Sequence, residues 1–216
     1  FTEENGTTPY SIYPAATVTL DLNGFSAVGR IINQGSFTLE TNGGTFTYKT
    51  GLTAASNGQR ALSAVLNRGT MTIQDSSGRS GHIISDAIED NTTLTNYTSV
   101  VRNESGGVLT ISDVTLESTQ NVNNNIAILF NYNNGRVQSL ENVAMKSLRG
   151  YAVMNYGGRI ENVNNCTVET CFGIENRNIR GNAPTAQSGA TISAYATIDS
   201  IKNSTFTVGQ YAIRNR

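Results

Sequence analysis

The chain has no tryptophan, one histidine, two cysteines and three prolines among 216 residues, and each scarcity closes off a class of protein. Two thiols and His82 fall short of a four-ligand zinc set and lack ligand-like spacing. Charge is scarce as well. Asp, Glu, Lys and Arg make up 14% of the chain, 15 basic against 16 acidic, so no basic field draws nucleic acid. No apolar run approaches the ~20 residues of a membrane-spanning helix, which argues against membrane insertion. Helical periodicity is missing too: the best stretch, TAASNGQRALSAVL from Thr53, is interrupted by Asn57-Gly58. No signal peptide precedes Phe1, so the sequence reads as a mature chain or one excised from something longer. Nothing in it calls for a cofactor.

What is present is a phrase that recurs. An aliphatic residue is followed two places on by asparagine, then in most copies by a glycine and an alternating strand: IINQGSFTL from Ile31, VLNRGTMTI from Val65, VRNESGGVLTI from Val101, LFNYNNGRVQSL from Leu129, VMNYGGRIENV from Val153, IENRN from Ile174 and IRNR from Ile213. The asparagines are Asn33, Asn67, Asn103, Asn131, Asn155, Asn176 and Asn215, at intervals of 34, 36, 28, 24, 21 and 39 residues. A repeat of this length signals a solenoid. Side chains alternate along a strand, so an asparagine two places after an inward aliphatic also points inward. Stacked on its equivalents, each buried amide can donate to the next one's carbonyl, which satisfies groups that are costly to bury alone. The pattern predicts an internal asparagine ladder.

A second strand follows, with inward pairs Phe37/Leu39, Met71/Ile73 and Leu109/Ile111, and ends in a second turn column read as Thr41, Asp75, Asp113, Asn142, Asn162 and Asn203. A third strand completes each turn, as in VTLES from Val114 and CTVET from Cys166. Three short strands per rung, about seven rungs and a rod of roughly 30 to 35 Å describe a single-stranded right-handed parallel β-helix, an all-β solenoid. An antiparallel sandwich also has many short strands, but it has no reason to repeat one asparagine at one offset from one inward aliphatic. Residues 1–16 lack the repeat and read as a cap or lead-in; residues 17–216 read as the β-helix. The stop just after the seventh asparagine leaves an uncapped rung, which suggests a fragment of a longer chain or self-association through the open C-terminal rung.

The phrases TVTLDLNGFS from Thr17, GSFTLETNGGTF from Gly35 and GTMTIQDSSGRSGHI from Gly69 resemble the right-handed β-helix segments of large adhesin-like surface proteins of anaerobic gut bacteria. The resemblance covers roughly residues 17 to 115 and continues more loosely to the end. It implies a secreted or wall-attached module of a longer polypeptide and carries no catalytic residue across.

Catalysis is not expected. A polysaccharide hydrolase or lyase on this architecture needs convergent carboxylates or calcium-binding acids with a base, and the chain has no Asp-Asp pair. The nearest acidic group, Asp86, Glu89 and Asp90, is a weak calcium candidate in one insertion. The residues flanking each ladder asparagine should point outward, where Phe130, Tyr132, Met154 and Tyr156, with Tyr151 nearby, would form an exposed apolar and aromatic patch. Such a patch suits a glycan or a host surface or secretory protein. Insertions around residues 51–60, 85–98 and 118–125 enter just before the asparagine strand, so they form either a groove wall or a lid over it. A spacer or fibre-forming subunit stacking end to end, and a polysaccharide lyase or hydrolase of the β-helix class, are the alternatives to a binding module. Cys166 and Cys171 fit either a local disulfide or two reduced core thiols.

Overall fold

A computed structural model of the chain describes residues 10–13, 15–49, 63–86, 98–120, 126–180 and 192–216. Among these there is no helix. Three parallel sheets wrap round one core as a right-handed β-helix. Sheet A holds eight strands, Tyr10–Ile12, Ile31–Asn33, Ser63–Asn67, Thr98–Asn103, Ile126–Tyr132, Tyr151–Tyr156, Phe172–Arg177 and Ile213–Asn215. Sheet B runs from Thr17–Asp21 through Ser36–Glu40, Thr70–Gln74, Val108–Ser112 and Arg136–Glu141, and its last two rungs are each broken into a pair of two-residue strands. Sheet C stacks seven strands, from Ser26–Val28 to Thr205–Val208. A small antiparallel pair, Ile179–Arg180 with Ile192–Ala194, forms a separate two-stranded sheet packed against Gly157.

Register explains why the sequence takes this path. The aliphatic and asparagine positions pair rung on rung, Ile31 with Val65, Val65 with Val101, Val101 with Leu129, and Asn33 with Asn67 through to Asn176 with Asn215. Within the stretch read as lead-in, Tyr10–Ile12 pairs in parallel with Ile31–Asn33, so Ile12 occupies the place below the first ladder asparagine. Sheet B supplies Phe37, Leu39, Met71, Ile73, Leu109 and Ile111 to the core, and sheet C supplies Phe46, Ile83, Leu116, Met145 and Val168. Burying each such side chain contributes ~1.5 to 3 kcal/mol, which makes the stacked interior the main source of cohesion.

All seven asparagines form the ladder. Each Nδ2 donates to the Oδ1 of the following rung, from Asn33 to Asn67 and on to Asn215, at 2.7 to 2.9 Å. Each Nδ2 also reaches a backbone carbonyl of the next turn, for example Arg159 O from Asn131 at 3.3 Å. The Oδ1 atoms of Asn33 and Asn67 accept from the backbone N–H of Gly35 and Gly69. Glycine follows because the amide fills the space a side chain would need: a Cβ at Gly135 or Gly158 would collide with Asn131.

Strict alternation fails in one place. Ala64 and Val65, Val100 and Val101, Ile128 and Leu129, and Ala152 and Val153 all lie in the inner core as consecutive pairs. The strand pairing skips Ala64, Val100, Ile128 and Ala152, so each strand bends there as it enters sheet A. Ala127 then belongs to an outer cluster with Phe130 and Met154, and Tyr151 packs on the same cluster.

The second corner, between sheets B and C, differs from expectation at one rung. Glu141 pairs with Asn164 and Asn164 with Lys202, so the turn residue there is Asn165 and not Asn162. Glu161 and Asn162 fill the break between Arg159–Ile160 and Val163–Asn164, and this interruption of the strand shifts the count by three. Asp113, Asn142, Asn165 and Asn203 each turn the chain as single residues with φ of 50 to 59°. Short polar side chains tolerate that left-handed region best after glycine.

Candidate outer-face site on sheet A

The strands of sheet A that carry the ladder inward also display two columns outward. The residue before each asparagine gives Ile32, Leu66, Arg102, Phe130, Met154, Glu175 and Arg214; the residue after gives Gln34, Arg68, Glu104, Tyr132, Tyr156, Arg177 and Arg216. The first column is not the exposed apolar row that the sequence suggested. Phe130 is fully buried and Met154 is 3% exposed, while Tyr132, Tyr151 and Tyr156 are half-buried. Phe130 lies under the Arg102 guanidinium, 4.6 Å from its ring centre, and stacks on Tyr132 at 5.6 Å. Tyr132 stacks in turn on Tyr156 at 5.8 Å. The rings thus spend their faces on one another, which leaves the edges and hydroxyls of Tyr132 and Tyr156 to meet a partner.

Charge completes the column. Arg102 is 4% exposed, and its Nε donates to Glu104 Oε1 at 2.5 Å. The Arg68 Nε donates to Glu104 Oε2 at 2.7 Å. Burial alone would raise the Glu104 carboxyl, but Arg102 and Arg68 outweigh it and hold the group below the usual carboxylate range. For Tyr132 and Tyr151 burial wins, and both hydroxyls stay protonated above the ordinary tyrosine value.

A second group lies at the late rungs. Glu175, buried at 2% exposure, accepts a short hydrogen bond from the Tyr211 hydroxyl. Burial and this bond together drive the Tyr211 pKa strongly upward. Tyr211 packs on Phe172 at 5.4 Å, and Phe172 stacks on Tyr151 at 4.7 Å. Arg214 sits over the Tyr211 ring at 5.2 Å and Arg177 over the Tyr156 ring at 5.7 Å. Arg102, Glu175 and Arg214 were not among the candidates drawn from the sequence, although they flank ladder asparagines. Their offset from the asparagine was the available signal. Tyr211 lies outside the repeat phrase and carried no such signal.

The remaining candidates are dispersed. Asp86 follows the sheet C strand Gly81–Ser85, whereas Glu89 and Asp90 lie outside the described residues; among the described residues no three His, Cys, Asp or Glu side chains gather as a metal site. Cys166 and Cys171 are free. Cys166 is buried in the inner core, its thiol donates towards Leu140 O and Asn164 O, and burial raises its pKa. His82 is half-buried on sheet C, paired with Thr45 and Thr115. On sheet B two acids pair with arginines: Glu161 accepts from Arg136 at 2.8 Å, and Asp199 accepts from Arg159 at 2.6 Å.

Comparison of the chain with models of known protein families, with curated proteins and with solved structures finds no match in any of the three.

Proposed function

We propose that this chain is a non-catalytic binding module of the adhesin-like, extracellular bacterial kind, and that it engages its partner through the outer face of sheet A. The observation that carries this reading is the column of tyrosine edges and guanidinium groups held at rung spacing: Tyr132 and Tyr156 stacked on each other, with Arg177 over Tyr156 in the next rung and Arg102 over the Tyr132 ring from the rung before. Stacked rings and arginines pinned over them lose little conformational freedom on binding, which favours recognition. Asp75, Glu104, Glu161 and Glu175 are each engaged by donors, which supports a non-catalytic reading.

The test is a binding screen of the chain against plant, microbial and mucin glycans and host secretory proteins, run beside the Tyr132→Ala/Tyr156→Ala double variant. A ligand bound by the parent and lost by the variant supports the reading. A ligand bound equally by both moves the site elsewhere, and silence across the screen favours a spacer or fibre subunit.

A further inference from the structure

We infer that the late-rung part of this face is a subsite for the anionic groups, carboxylate or sulfate, of an acidic glycan; the inference rests on the binding role proposed for sheet A. Register puts Arg177 and Arg216 in adjacent rungs, each one place after a ladder asparagine, and Arg214 on the same face two residues before Arg216. These three guanidinium groups meet one carboxylate. Arg214 and Arg216 approach Glu175 only to 3.9 and 3.8 Å, and Arg177 has no carboxylate partner among the described residues. Glu175 also accepts the Tyr211 hydroxyl and is buried, so it balances at most one of the three cations. Arg214 and Arg216 keep about two-fifths of their side-chain surface exposed.

The local excess of positive charge stands on a chain whose formal net charge is −1. Two of the three guanidinium groups are already oriented by an aromatic ring, Arg177 by Tyr156 and Arg214 by Tyr211. A guanidinium stacked on a ring still offers its planar fork of N–H donors, the geometry that grips carboxylate or sulfate in a bidentate way. The face gives a protein segment little to hold. Phe130 and Met154, which would anchor an apolar side chain, are buried, and the strands that carry Tyr156 and Arg177 are interior to the sheet, while Ile213–Asn215, which carries Arg214, is its last strand. Recognition therefore falls to charge-assisted hydrogen bonds and tyrosine hydroxyls, which match a hydroxylated polyanion.

The experiment is calorimetric titration of the parent chain, Arg177→Ala, Arg214→Ala and Tyr132→Ala/Tyr156→Ala with polygalacturonate, heparin, a neutral β-glucan and poly-glutamate, at low and high salt. Polygalacturonate or heparin should bind, lose roughly tenfold or more in affinity in either arginine variant at unchanged thermal midpoint, and weaken with salt. The neutral glucan should not bind. Carboxylated and sulfated probes separate the two anion sources. Equal binding of neutral glucan, undiminished binding in both arginine variants, or no binding of either acidic glycan overturns the inference. Poly-glutamate binding as tight as the glycans assigns the site to an acidic peptide and overturns it too. A neutral ligand lost only in the tyrosine variant would leave the broader binding role standing while this subsite falls.

Discussion

At the corner between sheets A and B, seven successive rungs carry the same amide, Asn33 to Asn215, bonded head to tail. At the corner between sheets B and C, the equivalent positions are Leu22, Thr41, Asp75, Asp113, Asn142, Asn165 and Asn203. The first corner is buried in its middle rungs, and there an amide has only other amides and turn carbonyls to satisfy it, so one residue type serves. The second is buried at its first three rungs and opens to water at the later ones, where the requirement is a backbone one and several residues meet it. Early rungs there use longer turns with Asn23-Gly24 and Asn42-Gly43 at positive φ, and late rungs use a single left-handed residue. Partner choice constrains the buried corner, and φ constrains the exposed one.

Asp75 links the two solutions. It is buried at 3% exposure, and its Oδ2 accepts from the N–H of Gly43 and Gly81 at 2.6 and 2.7 Å while its Oδ1 accepts from Ser77. Burial alone would raise its pKa, but these bonds overcome it and depress the group far below the usual carboxylate range. One ionised side chain here does for two neighbouring turns what the amide row does along the whole rod.

The largest break in the comparison should come from Asn131→Leu. It removes the donor to Asn155 Oδ1 and to the carbonyls of Gly135 and Arg159 while keeping similar volume, and the expected loss is about 3 kcal/mol or more in urea denaturation. Stability within about 0.5 kcal/mol of the parent would remove the energetic role of the ladder. Next, Asp75→Asn should cost about 2 kcal/mol at neutral pH by replacing charge-assisted bonds. Because the folded pKa is depressed, the Asp75 contribution is fully present above the ordinary carboxylate value and is lost as pH falls below it. The parent should therefore lose its advantage over Asp75→Asn between about pH 4 and pH 2, and a pH-independent gap would contradict the assignment. A smaller effect, about 1 to 2 kcal/mol, is expected for Asn142→Val, which forces a β-branched residue to φ of 52°, whereas Asn142→Gly should stay close to the parent. The smallest belongs to the outside of the first corner: Tyr132→Ala should cost about 1 kcal/mol through lost stacking on Phe130 and Tyr156 while binding falls. Matched thermal scans of the four variants would rank them.

Most of the fold was legible because the inner face of a solenoid repeats its demands. An inward aliphatic two places before an asparagine recurs wherever that corner recurs, and register follows from it. Three things escaped. The bend that sends Val100 and Val101, or Ile128 and Leu129, inward together is a backbone event, invisible to a strict period of two. The interruption at Glu161 and Asn162 displaced the second turn column from Asn165 in the same way. The third lay on the outer face: Phe130 and Met154 were rightly placed outside the coil, but whether an outward side chain meets water depends on what packs over it, and the cation above Phe130 comes from Arg102, 28 residues earlier and one rung below.

The head-to-tail amides also have a common sense of direction, every donor pointing to the later rung. Dipoles aligned in series polarise one another, so the row behaves as a single extended polar filament with an acceptor end and a donor end, and its middle members are held more strongly than its last ones. Since each link is the same, a whole rung can be duplicated or deleted without reversing or interrupting the series. The rod can thus change length in steps of one coil while its interior chemistry stays the same, leaving each new outer position free to vary.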